Sequence, residues 1–529
     1  MATSTIAKQK ELFGHPVGLY ILFLTEMWER FSFYGMKALL IFYLVKYHLF
    51  SDEAGNLLVG SYAALVYAMP VIGGYLADKF LGFRKAVTFG GIMLVLGHLG
   101  MAYEGNAATE MANGIIERDD FALQVFYFSL ALIIVGVGFL KANISSIVGE
   151  LYRKGDKRRD SGFTIFYMGI NLGSALATII CSWLGETYGW SYGFGAAGVG
   201  MLFGLVTFIY GKKYFYGKAE PKDLNLLEKK SVLGINNEWT IYILAILGTV
   251  VVWQMVQNHS VVEVLLMIAG AGSLIYIIWY ATSKATKIER DRLFALTVLI
   301  LFSVIFWALF EQAYTSLNLF ADRALDRETS MFGEIAPGAF LSLNAIFIIL
   351  LAPVFAWLWI KLDKRGLNPN AAVKFSIGIL LVGLGFGALV FGGEISGAGK
   401  VAMIWLVLAY FLHTCGELCL SPVGLSYVTK LSPGKIVGFM MGVWFLATAG
   451  SEYIASLLAN LASIDTSGGK ATDLAGAKAS YLSLFESLFY TGLIFGVILL
   501  ILSPFVKKMM HGIDSDESGE DEVLMEKKH

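Results

Sequence analysis

Apolar residues run along this chain in blocks long enough to cross a bilayer, which takes roughly 20 residues of helix. Short segments that hold nearly all of its Lys and Arg separate the blocks. The pattern predicts fourteen membrane-spanning helices near 18–46, 57–79, 86–104, 121–150, 162–188, 192–212, 239–257, 261–283, 292–320, 338–361, 372–393, 400–430, 434–462 and 480–506. A tight hairpin at Gln257 to Ser260 must part the seventh and eighth.

The cations test this division, because cytoplasmic loops carry the excess of Lys and Arg. One alternate set of loops, with the two chain ends, holds 28 of them, including Arg84, Lys85, Arg158 and the run from Lys212 to Lys230. The other set holds only Lys46, Arg118, Arg323, Arg327, Lys400, Lys470 and Lys478. Both termini are therefore expected in the cytoplasm. The domain reading is a six-helix bundle at 1–213, a linker with an inserted helical hairpin at 214–289, a second six-helix bundle at 290–512, and an acidic, disordered cytoplasmic tail at 513–529. The fold class that follows is an all-α polytopic membrane protein.

Composition agrees with this pattern. Of 529 residues, 57% are hydrophobic and 15% charged, and mean hydropathy is +0.66. An ordinary soluble domain carries about 25% charged residues, so a cytosolic enzyme and a disordered chain are excluded. A net charge of −1 argues against a nucleic-acid partner. Cys181, Cys415 and Cys419 lie in apolar segments and imply neither a disulfide framework nor a metal site. The seven His are scattered, and no nucleophile–base pair or metal motif marks an enzyme. His413, one turn before Glu417, is expected to pack or to support its neighbours.

Seven ionisable residues fall inside predicted spans: Glu26, Glu29, Arg30, Lys37, Lys141, Glu311 and Glu417. Each costs about 2.5–3.5 kcal/mol at the bilayer centre on insertion scales, so each must face a polar cavity or pair with another. Glu26, Glu29, Arg30, Tyr34 and Lys37 recur at helical spacing and form one stripe on the first span. The cations Arg30, Lys37 and Lys141 belong to the first bundle, whereas Glu311 and Glu417 belong to the second. A solute with a carboxylate at one end and an ammonium at the other fits such a bipolar set, which points to amino acids and short peptides. Four carboxylates against three cations sum to −1, so one bound proton neutralises the set; that is an expectation of proton coupling.

Several segments then resemble one family. Glu26-Met27-Trp28-Glu29-Arg30-Phe31-Ser32-Phe33-Tyr34-Gly35 resembles the ExxERFxYYG motif of the proton-dependent oligopeptide transporters, with Phe33 in place of the first tyrosine. Phe166-Tyr167-Met168-Gly169-Ile170-Asn171-Leu172-Gly173 resembles their FYxxINxG signature. Phe306-Trp307 with Glu311-Gln312, and Glu417 through Ser421-Pro422 to Ser426, are similar to their seventh- and tenth-helix patterns. The Gly74 to Lys85 stretch is similar to a loop motif of the wider major facilitator superfamily. The matches keep family order, and an inserted helix pair between the halves is a feature of the bacterial members.

The resemblance implies a major facilitator fold and a proton-coupled symporter that imports di- and tripeptides by alternating access, in a bacterial inner membrane. A major facilitator carrier for amino acids or another small solute is the alternative. The resemblance further implies that Arg30 and Lys141, with Lys37 nearby, hold the peptide carboxylate, and that Glu417 takes the amino group. Asn171 and Asn344 would bond the peptide backbone or termini, and Tyr34, Tyr67, Tyr167 and Ser421 would add polar contacts. Trp307, Phe310 and Trp444 would line side-chain pockets. Glu26, Glu29, Arg30, Glu311 and Glu417 would handle the proton, and Lys37–Glu311 and Lys141–Glu417 would be gate pairs. The partners implied are the peptide, protons and the lipid bilayer, with no metal or organic cofactor and a functional monomer. Ala142 and Ala345 stand where the family has Pro, and Gly60 stands at the histidine of animal members, so the carboxylates must carry the proton. Gly193, Gly195, Gly198 and Gly200 are expected to let helices approach closely. Pro70, Pro353 and Pro422 are expected to kink spans.

Overall fold

A computed structural model describes residues 9–153, 156–231, 234–331, 333–464, 466–467, 470–471 and 473–513. The side chains of 421–423, 425, 467, 470, 471 and 474 fall outside the described set, and so does the expected acidic tail from 514 onward.

The chain is almost wholly helical. Its helices are α1 (Val17–Phe42), α2 (Asp52–Leu76), α3 (Gly82–Met101), α4 (Asp120–Leu151), α5 (Arg158–Tyr188), α6 (Trp190–Gly211), the short α7 (Leu224–Glu228) and α8 (Asn237–Gln257). They continue with α9 (His259–Ser283), α10 (Lys287–Phe310), the short α11 (Ser316–Arg323), α12 (Ser342–Asp363), α13 (Ala371–Ile395), α14 (Met403–Leu431), α15 (Val437–Ala459) and α16 (Leu474–Met509). Each expected span except 292–320 falls mainly on one long helix. Among the described residues, eleven apolar segments have the length and composition to cross a membrane. The one at Asp52–Met101 holds both α2 and α3, and α1, with its four ionisable side chains, is long as well.

Short polar residues cap the starts of several helices. The side chains of Ser51, Asp119, Asn236, Asn370 and Asp473 accept bonds from the first free backbone N–H groups of α2, α4, α8, α13 and α16. Thr286 and Glu289 form a reciprocal cap on α10. Gly82, at φ +72°, ends a π-helical turn after α2 and reverses the chain into α3; a side chain there would also collide with Pro221. Asn258 alone (φ −122°, ψ 73°) parts α8 from α9.

The expected span at 292–320 is interrupted. α10 stops at Phe310, Glu311–Tyr314 form a 3-10 turn, and Thr315 (φ −126°, ψ −97°) breaks the helix before α11. A break inside a membrane frees carbonyls that need partners. Gln312 meets one of them, its Nε2 donating to the Ala308 carbonyl (3.3 Å), and it also ties the break to α15 by donating to the Ala455 carbonyl (2.8 Å).

The chain forms two compact units. The first is Met1–His259 with Glu328–Ile346 and Thr466–Lys470; the second is Ser260–Arg327 with Phe347–Asp465 and Ala471–His529. The boundary falls inside the inserted hairpin, with α8 in one unit and α9 in the other. In the first unit α1 packs on α5 and α6, α3 on α4 and α6, and α2 on α4. Glycines seat these crossings. A Cβ on Gly90 would come 2.6 Å from the Gly136 carbonyl oxygen, and one on Gly73 would come 2.9 Å from Phe139 N. Gly193, Gly198 and Gly200 also meet close neighbours, as expected. Gly195 does not: its Cβ would have only Ala102 at 3.9 Å, because that face of α6 is not at a crossing. In the second unit α13 packs on α14 and α16, and α10 on α15, α16 and α14. Pro70 and Pro353 lie inside α2 and α12. Pro422 lies along α14, with its side chain outside the described set.

The linker after α6 is held on the α2–α3 turn. Arg84 N donates to the Ala219 carbonyl at 2.9 Å, and the Arg84 guanidinium makes a bidentate pair with Glu220, its second bond 2.8 Å. The Arg84 hydrogen bond holds the Glu220 carboxyl below the ordinary carboxylate range. Lys85 meets Glu238 at 2.6 Å, and Phe89 stacks on Tyr242 with centroids 4.8 Å apart.

Candidate functional site

The first unit gathers its ionisable residues on α1. Glu26, Glu29, Arg30 and Lys37 are all buried. Arg30 forms a bidentate pair with Glu29, Nε to Oε2 and Nη2 to Oε1 (2.6 Å), and its Nε lies 3.3 Å from Glu26 Oε1. The Arg30 guanidinium carbon lies 5.1 Å from the Phe33 ring centroid and 5.9 Å from that of Tyr34. One guanidinium thus serves two carboxylates and two rings, which a delocalised planar cation can do and an ammonium cannot. Glu26 Oε2 is buried with no hydrogen-bond partner among the described residues, so this carboxylate is the incompletely satisfied member.

The motif glycines hold this stripe against α5. A Cβ on Gly35 would meet the Cys181 side chain, 3.1 Å from its Cβ. One on Gly169 would lie 3.0 Å from Phe23, and one on Gly173 would lie 3.2 Å from the Arg30 Cβ. The two signatures on α1 and α5 are therefore one helix crossing. On α5 the Asn171 amide donates to the Tyr167 carbonyl at 3.2 Å. Asn171 is buried, whereas Tyr167 is 49% exposed. Tyr67 of α2 and Lys141 of α4 come together, with the ammonium 3.9 Å from the ring centroid. Asn344, at the start of α12, also falls in the first unit.

The second unit holds Glu311 and Glu417, with Trp307, Phe310 and Trp444. Glu311 is buried at the break after α10. Phe306, Trp307 and Phe310 form a cluster in the turn and a half that leads to it: Phe306 stacks on Phe310 at 5.7 Å, and Trp307 meets Phe310 edge-on at 5.4 Å. Glu417 is half-buried on α14. His413 one turn earlier packs among Phe310, Phe386 and Tyr410, and its Nε2 pairs with the Val382 carbonyl at 3.1 Å. That is the packing role expected of it. Trp444 lies on α15 against Gly424 of α14. Ser421 belongs to α14, but its side chain is outside the described set. The cations of the expected gate pairs, Lys37 and Lys141, belong to the first unit, and Glu311 and Glu417 to the second. No group of three metal-binding side chains occurs among the described residues.

Outside the expected seven, the described residues also bury Asp52, Arg323, Glu452 and Lys478, with His48, His98 and His413. Glu452 on α15 is 4% exposed. Arg323 donates to the Tyr481 hydroxyl at 2.7 Å. Lys478 reaches Ser396 Oγ (2.5 Å) and the carbonyls of Gly397 and Gly399 (both 2.9 Å). Glu452 was legible as an acid within the 434–462 span, whereas Arg323 and Lys478 sit where loops were expected. The charge balance inside the molecule is thus set by more than the seven.

The family model described as "POT family" matches residues 84–474. An uncharacterized transporter, YclF, of Bacillus subtilis is 40% identical over 96% of this chain and 97% of its own. A di-/tripeptide transporter of Lactococcus lactis is 35% identical over 95% of this chain and 98% of its own. Among solved structures, a peptide transporter POT in complex with alafosfalin superposes with a TM-score of 0.79 at 37% identity, covering 95% of this chain and 98% of that one.

Proposed function

Because the chain belongs to the POT family, proton-dependent oligopeptide transporters with the major facilitator fold, we propose that it is a proton-coupled symporter importing di- and tripeptides by alternating access. The observation that carries this reading is the division of ionisable side chains along its apolar helices. Arg30, Lys37 and Lys141 belong to one unit, and Glu311 and Glu417 to the other. The peptide carboxylate is held by Arg30 and Lys141, with Lys37 nearby, and the peptide amine by Glu417. Asn171, Asn344, Tyr34, Tyr67, Tyr167 and Ser421 bond the backbone and termini, while Trp307, Phe310 and Trp444 receive the side chains. A dipeptide's charged ends lie about 7 Å apart at most, from roughly 3.5 Å per residue, whatever its side chains. Gripping the ends and leaving the side chains to apolar pockets accepts many sequences, since such pockets discriminate by only about 1–3 kcal/mol per methylene.

The proton is carried by carboxylates, with Glu26, Glu29, Glu311 and Glu417 taking part alongside Arg30. No metal or organic cofactor enters. The chain works as a monomer in a bacterial inner membrane with both termini in the cytoplasm, organised as a bundle at 1–213, the linker and hairpin at 214–289 and a bundle at 290–512. The cation asymmetry of the loops supports that orientation.

The test is dialanine uptake into liposomes holding the purified protein, under an imposed inward proton gradient. Glu417→Gln and Lys141→Ala are assayed beside the wild type. Gradient-driven accumulation lost in both variants is the expected result. No peptide flux through folded protein overturns the reading and turns the search to amino acids. Flux down a peptide gradient without accumulation removes the coupling alone.

A further inference from the structure

α14 carries Glu417 between two glycines that each face an aromatic ring. A Cβ on Gly416 would lie 2.7 Å from the Gly378 carbonyl oxygen of α13 and 3.4 Å from Phe306, at the edge of the α10 cluster. The second seat is closer. A Cβ on Gly424 would overlap the six-membered edge of the Trp444 indole, which comes within 2.6 Å at Cζ2 and nearer still at Cη2. Trp444 belongs to α15, whose packing on α14 therefore runs through this contact.

The position of the seat relates it to Glu417. Seven residues separate Glu417 from Gly424, about two helical turns, so both lie on nearly the same side of α14, roughly 10 Å apart along its axis. An extended dipeptide with its amine at Glu417 spans about 7 Å between its ends. A side chain borne on it reaches the level of the indole. The depth to which the indole sinks against α14 then sets the room left for that side chain. Gly424 supplies this depth because it is the one residue type with no Cβ. The ring is rigid, so an added methyl group cannot be absorbed by bending and must turn the indole off the helix.

We propose that Gly424 is a specificity-determining position: by seating the Trp444 indole against α14, it sets the size of peptide side chain accepted beside Glu417. The inference rests on the transport reading above, and on Trp444 lining the peptide's path.

The test compares wild type, Gly424→Ala, Trp444→Phe and the double variant in proteoliposomes. Labelled dialanine is taken up against unlabelled Ala-Ala or Ala-Phe as competitor. The readout is the ratio of the two half-inhibition concentrations, which a general loss of folded protein does not move. In Gly424→Ala the displaced indole disfavours Ala-Phe relative to Ala-Ala by about tenfold, the discrimination of one methylene-sized change in an apolar pocket. In the double variant the smaller phenyl ring clears the new methyl group, and the ratio returns toward that of Trp444→Phe alone. Should Gly424→Ala fail to fold, the expected result is that Trp444→Phe restores folding, and the double variant then carries the ratio measurement. An unchanged ratio in folded Gly424→Ala overturns the inference. So does an altered ratio, or a folding defect, that Trp444→Phe does not reverse. Wild-type protein that moves no dipeptide overturns the transport reading and this inference with it, whereas wild-type transport with an unmoved ratio overturns this inference alone.

Discussion

Arg30→Lys separates geometry from charge in the α1 network. The substitution keeps one positive charge, so neither Glu26 nor Glu29 faces an empty site. What it removes is the fork. Arg30 bonds both oxygens of Glu29, the second at 2.6 Å, while its Nε also lies 3.3 Å from Glu26. A lysine ammonium is a point charge on a flexible stem and cannot reproduce that planar arrangement. At least one charge-assisted hydrogen bond is lost, each contributing about 1.5–3 kcal/mol. If the network must re-form in every transport cycle, that energy appears in the rate as a loss of about 10- to 150-fold, at 1.36 kcal/mol per factor of ten. The assay is the initial rate of gradient-driven dialanine uptake, normalised to folded protein, with counterflow measured beside it. The reasoning is refuted if Arg30→Lys transports within about twofold of wild type, below 0.5 kcal/mol on that scale, for the fork would then contribute nothing beyond its charge.

Two further outcomes are expected. Gly73→Ala forces a methyl group against the Gly138–Phe139 backbone and should destabilise the protein by about 1–3 kcal/mol, the usual cost of overpacking, whereas Gly195→Ala, with its nearest atom 3.9 Å away, should leave the midpoint of a detergent thermal melt unchanged. The Arg84–Glu220 pair should respond to acid in one direction. The Glu220 carboxyl is held low by its Arg84 bond, so its stabilisation is complete above the unfolded carboxylate value of about 4.3 and is lost as pH falls through the lower folded value. The hydrogen-exchange protection factor of the 219–228 linker, taken against the intrinsic rate at each pH, should therefore be high at pH 7, fall in the acid range below about 4.3 and be lowered already at pH 7 by Glu220→Gln.

Much of the site was legible along the chain because membrane helices must hide charge. Glu26, Glu29, Arg30 and Lys37 stood out against apolar neighbours, and all four are buried. Periodicity placed Glu26 and Arg30 on one face, and the 3.3 Å pair agrees. It gave no sign that Glu29, the adjacent residue, would take the bidentate bond. Nor did it mark the break at Thr315, since residues 311–320 carry no Pro or Gly and read as continuous helix. Beside the break, Gln312 bonds the Ala455 carbonyl of α15, a partner 143 positions away that no local pattern announces.

The order of apolar and basic segments alone determined that this is a polytopic helical protein, where its helices lie and which residues must be kept from lipid. These follow from the cost of exposing a charge or a bare peptide group to hydrocarbon, a local property that each segment carries by itself. The tertiary structure decided what each residue touches. With 58 glycines in the chain, nothing local distinguishes Gly35, Gly173 and Gly424, each pressed against a neighbouring helix, from Gly195, which is not. A glycine's lack of a side chain has consequences only where another helix arrives, and that arrival is set by packing between segments far apart in the chain.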